Sequence, residues 1–300
     1  MPKSTGRRLF RLVPAEQASA AQRRLRLLAL RARVRRQHAD DDDWIQVNCA
    51  LFAQALAQPT YVPWTELATT LEAWRSERRF DQFFFMRKPP GLRLRFHRLG
   101  GLAHLEPALV AWLEDAERRN LIRSFRFATY EPEVFLFGGP TGMAIAHDQF
   151  DRDSRLVMRY EALLESGAID LSRAQLSLAL MHDLFRRFAE DQAELWNIWQ
   201  RIFSAHGRPL LPQVGEIELP ALGNLSGEAA SLGLAGLADN THIAARLHAA
   251  QVAGRLGCGP RSWLSQICTF HWNRLGLSLQ DRLPLIASML QLLDPHRGDS

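Results

Sequence analysis

The stretch from Phe83 to Gly101, FFFMRKPPGLRLRFHRLGG, constrains this chain more than any other. A Lys-Pro-Pro-Gly turn between two apolar-rich arms predicts a β-hairpin. The first arm, Phe83-Phe84-Phe85-Met86, is apolar at four successive positions, as a strand buried on both faces should be. The second arm alternates strictly. Leu92, Leu94 and Phe96 fall on one face, and Arg93 and Arg95 fall on the other. Two guanidiniums one strand repeat apart, about 7 Å, can grip one carboxylate or phosphate from two sides. The same pattern also suits the solvated outer face of an antiparallel sheet.

The flanking sequence extends the hairpin into a sheet with helices. Residues 44–56 begin as a strand and end as a helix. Residues 64–79 carry Leu67, Leu71 and Trp74 at helical spacing. A helix is expected over 105–120, and a strand over 121–130 that bears Arg123 and Arg126. A long helix is expected over 143–166. From residue 172 the pattern is mainly helical, over 172–205, 241–256, 260–275 and 279–293, with 207–240 read as a Gly/Pro/Ser-containing connector. The fold class expected is α+β: an antiparallel sheet with packed helices, then a mainly helical C-terminal half.

Composition narrows the function classes. At 300 residues and 47% apolar, the chain can bury a full core. Residues 1–43 are read as a basic helix or arm, helical over 15–38, and residues 44–300 as the main domain. Seven arginines between 23 and 36, within a net charge of +5, suit an acidic peptide or a nucleic acid. No aromatic residue is interleaved with those arginines, which weakens the nucleic-acid reading. Cys49, Cys258 and Cys268 have no metal-type spacing and leave one unpaired, which suits a reducing cytoplasm. No apolar run approaches the ~20 residues of a membrane span. His147 and Asp151 share a helix face, but no second pair matches them, so no metal is expected. Dinucleotide, Walker, HExxH, CxxC and GxSxG signatures are absent from the sequence, and no cofactor is expected.

Three stretches occur in order: FFFMRKPPGLRLRFH, then TYEPEVFLFGG with a helix carrying FDRDS, then FHWNRLGLS. Together they resemble the thiopeptide-type bacteriocin biosynthesis family, which shares its fold with the C-terminal glutamate-elimination domain of class I lanthipeptide dehydratases. The resemblance spans about residues 44–295. It implies a ribosomally made precursor peptide as partner. It also implies removal of glutamate from glutamylated Ser or Thr, or a related cyclisation of two dehydroalanines to a pyridine ring. Arg93 and Arg95 match the paired strand arginines, Glu133 the acidic position before the double glycine, and His271, Asn273 and Arg274 the C-terminal motif. Two positions depart from the pattern: Leu136 replaces an arginine and Thr269 a histidine. A non-catalytic precursor-binding partner of a separate glutamylating subunit therefore stays open, as does a homodimer. Arg93 and Arg95 are expected to enter one cavity with His271 or Arg274.

Overall fold

The alternation of the second hairpin arm is realised strand against strand. β1 (Trp44–Ala50), β2 (Gln82–Lys88), β3 (Gly91–His97) and β4 (Ser124–Ala128) form one antiparallel sheet in the order β2-β3-β1-β4. This is a computed structural model, and it describes residues 43–52, 64–98, 101, 103–215 and 219–296. The expected N-terminal helix and arm, and the helical end of 44–56, lie outside the described residues.

Register assigns each side chain to a face. Ile45, Val47, Cys49, Phe83, Phe85, Leu92, Leu94 and Phe96 share one face and are all buried. That face meets α1 (Trp64–Ser76), whose Trp64 lies 5.0 Å from Phe85 and whose Trp74 lies 6.4 Å from Phe96, centre to centre. α2 (Glu106–Arg118) adds Leu109 and Leu113 to the same apolar cluster. The opposite face carries two rows across the strands. One row is Phe84, Arg95, Gln46 and Ala128; the next is Met86, Arg93, Asn48 and Arg126. The first arm is apolar throughout because both its faces are covered.

The remaining described helices are α3 (Pro140–Glu165), α4 (Arg173–Arg186), α5 (Gln192–Ala205), α6 (Gly227–Val252), α7 (Pro260–Leu275) and α8 (Leu279–Leu292). α3 and α7 pack against β2, and α6 lies along α3 and α4. α3 also closes the outer edge of the sheet. The Phe83 N–H donates to Asp151 Oδ1 at 2.9 Å and the Phe85 N–H to Ser154 Oγ at 3.3 Å. Side chains of a helix thus take the place of a further strand, and the edge presents fewer free donors to another chain.

Several boundaries differ from the sequence expectation. β4 covers only Ser124–Ala128, so Arg123 precedes it. The 172–205 segment is two helices, separated at 187–191. The largest difference is α6, which starts at Gly227, inside the expected connector. Its small residues read as loop-formers, but they permit close packing. A Cβ on Gly233 would lie 2.6 Å from the Leu222 carbonyl oxygen, and one on Gly236 would lie 2.5 Å from Leu180 Cδ2. Tertiary contact overrides the weak local preference.

Candidate functional site

Arg95 anchors the polar face of the sheet. It is 6% exposed. Its Nε–H donates to Gln46 Oε1 at 2.7 Å. Its guanidinium lies over Tyr130 at 4.4 Å and over Phe84 at 5.1 Å from the ring centres. Among the described residues it has no further hydrogen bond or ion pair, so Nη1 and Nη2 remain uncommitted. Burial lowers its hold on a proton; Tyr130 and Glu133 oppose that, while Arg93 and Arg274 add to it. Glu133 is half-buried, and its Oε2 is fully buried without a hydrogen-bond partner. A buried guanidinium and a carboxylate therefore influence each other without an ion pair between them.

Tyr130 and His147 form the wall beside Arg95. Tyr130 Oη and His147 Nε2 are 2.8 Å apart. Burial, then the neighbouring His97 and Arg95, hold His147 down at about 3, so its ring is neutral at ordinary pH. Burial pushes the Tyr130 phenol above its usual range. The phenol therefore keeps its proton and donates it to the imidazole. Trp44 lies 4.5 Å from His147 and 4.9 Å from Tyr130, which fixes both rings.

A second polar cluster lies under β2. Asp153 on α3 accepts from His271 Nδ1 at 2.7 Å and from Arg274 Nε on α7. Burial alone would raise the Asp153 carboxyl, but His271 and Arg274 outweigh it and hold the group well below the carboxylate range. Arg274 also reaches Met86 Sδ at 3.6 Å and lies 4.7 Å over Phe150. His271 Nε2 and Arg274 Nη2 are buried with no partner.

The charges of Arg93 and Arg274 both act on Arg95, and a run of aromatic rings links Arg95 to Arg274. Arg95 stacks on Phe84, Phe84 lies 5.1 Å from Phe150, and Phe150 carries Arg274. Phe84 and Phe150 thus carry one guanidinium each, Arg95 and Arg274. Arg93 instead lines a cavity that Arg95, His271 and Arg274 do not line. Equal strand alternation does not imply equal surroundings: Arg95 lies beside Phe84 in the aromatic row, whereas Arg93 lies beside Asn48.

Other placements bear on the sequence reading. Asn273 accepts from Arg282 Nη2 at 2.8 Å, so it ties α7 to α8. Leu136 is 42% exposed, in the turn before Gly138. That turn is clasped to the loop before α7, where the Gly257 N–H donates to the Gly138 carbonyl at 2.7 Å. Gly138 has φ +74°, and a Cβ there would meet Cys258 Sγ at 2.7 Å, so only glycine fits. Thr269 donates to the Ser265 carbonyl one turn back. Three residues of the site were not selected from sequence: Gln46, Tyr130 and Asp153. Tyr130 and Asp153 lie inside the TYEPE and FDRDS stretches; Gln46 carried no signal. His147 and Asp151 do not converge. His147 bonds Tyr130, and Asp151 bonds Arg75 and the β2 edge. Among the described residues no group of three His, Cys, Asp or Glu could hold a metal, and no helix is long and apolar enough to cross a membrane.

Two solved structures share this fold. The tRNA-dependent lantibiotic dehydratase MibB from Microbispora sp. 107891 aligns at TM-score 0.60 and 16% identity, over 86% of this chain and 29% of that one. TsrL aligns at TM-score 0.54 and 14% identity, over 86% of this chain and 95% of that one. The chain thus corresponds to under a third of MibB and nearly the whole of TsrL. No curated protein sequence matches it. The family model for the lantibiotic biosynthesis dehydratase C-terminal region matches residues 44–293, and the chain belongs to that family.

Proposed function

We propose that this protein removes glutamate from glutamylated Ser or Thr residues of a ribosomally made precursor peptide. The observation that carries the reading is Arg95: a buried cation with two uncommitted nitrogens, within electrostatic range of Glu133, whose Oε2 is buried without a partner. In the step proposed, Glu133 takes the Cα proton. The Cα–Cβ double bond forms as the Cβ–O bond breaks. The leaving glutamate departs as a carboxylate held by Arg95 Nη1 and Nη2. Products are a dehydroamino acid and free glutamate. His271, Asp153 and Arg274 hold α3, α7 and β2 together beside this site.

The test is a precursor peptide already glutamylated on Ser or Thr. Its mass should fall by one glutamic acid per site, with free glutamate released. Arg95→Ala should slow release by roughly 10- to 100-fold, the effect of losing one charge-assisted contact of about 1.5–3 kcal/mol. Glu133→Gln should slow it further while leaving peptide binding in place. A second reading is favoured by Leu136 and Thr269, which supply neither guanidinium nor imidazole. On that reading the protein binds the precursor for a separate glutamylating subunit, and tight binding without release would support it. Turnover of a peptide with two dehydroalanines, with loss of its leader, would instead indicate the cyclisation.

A further inference from the structure

Arg93 lines a cavity of about 260 Å³ at the turn end of the sheet. Lys88 of the hairpin turn, Arg93 of β3, and Arg123 and Arg126 at β4 line it, with Asn48 and Ser124. No Asp or Glu lines it, and among the described residues none of the four cations has a hydrogen bond or ion pair.

Register makes this more than a cluster of surface charge. Arg93 and Arg126 are the two lateral partners of Asn48, so the three share one face with the amide in the middle. Neighbouring strands are about 4.8 Å apart, which places the two arginines either side of that amide. The direction of the Asn48 amide follows from Arg95. Arg95 can only donate, so Gln46 must present Oε1 to it. Gln46 Nε2 then donates to Asn48 Oδ1 at 3.0 Å, which leaves Asn48 Nδ2 as a donor. Three guanidiniums, an ammonium and an oriented amide thus line one cavity with no carboxylate among them.

We propose that this cavity is a carboxylate subsite for the peptide substrate, taking an acidic side chain or the C-terminal carboxylate. It rests on the reading that the substrate is a peptide. The volume suits one side chain rather than a nucleotide, since pockets for whole small molecules start near 300 Å³. Arg93 is one strand repeat, about 7 Å, from Arg95. The carboxylate held here therefore belongs to a residue within one or two positions of the one that reacts.

The test is binding of three short peptides to the full chain, followed by calorimetry at constant pH. Acetyl-Glu-Glu-Glu-amide offers side-chain carboxylates, acetyl-Gln-Gln-Gln with a free C-terminus offers the terminal one, and acetyl-Gln-Gln-Gln-amide offers neither. One or both acidic peptides should bind at least about tenfold more tightly than the neutral peptide, and the one that binds identifies the source. Binding should weaken as salt rises. Arg123→Gln/Arg126→Gln changes two exposed residues that do not contact Arg95 or Glu133 and should remove the preference while the protein melts as before. Equal binding of all three peptides overturns the proposal, as does a preference that survives the double substitution. Tighter binding of a single-stranded RNA oligonucleotide, lost in the same variant, would overturn it in favour of nucleic acid. Glutamate release by the unaltered protein is measured separately, so this subsite can fail while the elimination stands.

Discussion

Two buried cationic centres lie on opposite faces of the same hairpin, and they are built differently. On the apolar face, Glu161 is fully buried and accepts from Arg87 at 2.8 Å and from Arg173 at 3.0 Å. Arg87 also donates to the Arg274 carbonyl at 2.8 Å and lies 4.5 Å over Trp64. Burial draws Arg87 down to about 10, with Glu161 opposing, so it stays charged. Every charge there has a partner, and the cluster ties β2, α3, α4 and α7 together. On the polar face, Arg95 has one hydrogen bond and aromatic walls but no bonded carboxylate. A fully paired centre ties elements together, whereas Arg95 keeps unused donors on its face of the sheet.

The largest expected effect comes from breaking the paired centre. Glu161→Gln leaves two desolvated guanidiniums without an anion and should cost about 3–5 kcal/mol, roughly a 10 °C fall in melting temperature. Arg95→Met should melt within about 1 kcal/mol of the parent, because no bonded counter-ion is orphaned. If Arg95→Met melts as early as Glu161→Gln, the distinction between the two centres is wrong.

Acid has the next largest effect. His147 is held at about 3 in the fold, against 6.5 for an ordinary histidine. The unfolded chain therefore binds the extra proton between those values, so stability falls as pH drops through that window, by up to about 1.4 kcal/mol per pH unit. Asp153, held low in the fold, adds a second loss below its ordinary 3.8, where the unfolded carboxyl protonates first. Urea midpoints at pH 7, 5.5 and 4.5 should decline in the parent and decline less in His147→Phe. An unchanged slope in the variant would remove His147 as the source.

The smallest effect concerns the sheet edge. Ser154→Ala removes the acceptor of the Phe85 N–H and should cost about 1 kcal/mol, read from chemical denaturation. No change at all would mean that the neighbouring Asp151 contact alone secures β2 against α3.

The hairpin, its two faces and the helical C-terminal half were legible because they follow from local periodicity. A Pro-Pro-Gly turn and a period of two are written within fifteen residues, and register then follows from burial of Leu92, Leu94 and Phe96. Ser172 likewise marks the start of α4, since its side chain caps the Gln175 N–H. What the tertiary structure decided is everything that depends on residues far apart in the chain. The Gly-rich start of α6 is helical because Leu222, Leu180 and Leu156 approach it closely. Arg93 and Arg95 look equivalent in sequence, yet one stacks on Phe84 and Tyr130 and the other shares a cavity with Arg123 and Arg126. Asp153 meets His271 and Arg274 from more than a hundred residues away. Periodicity states which face a side chain takes. Only the packing of other segments onto that face states which charges, rings and carboxylates it meets there, because those neighbours are set by long-range burial.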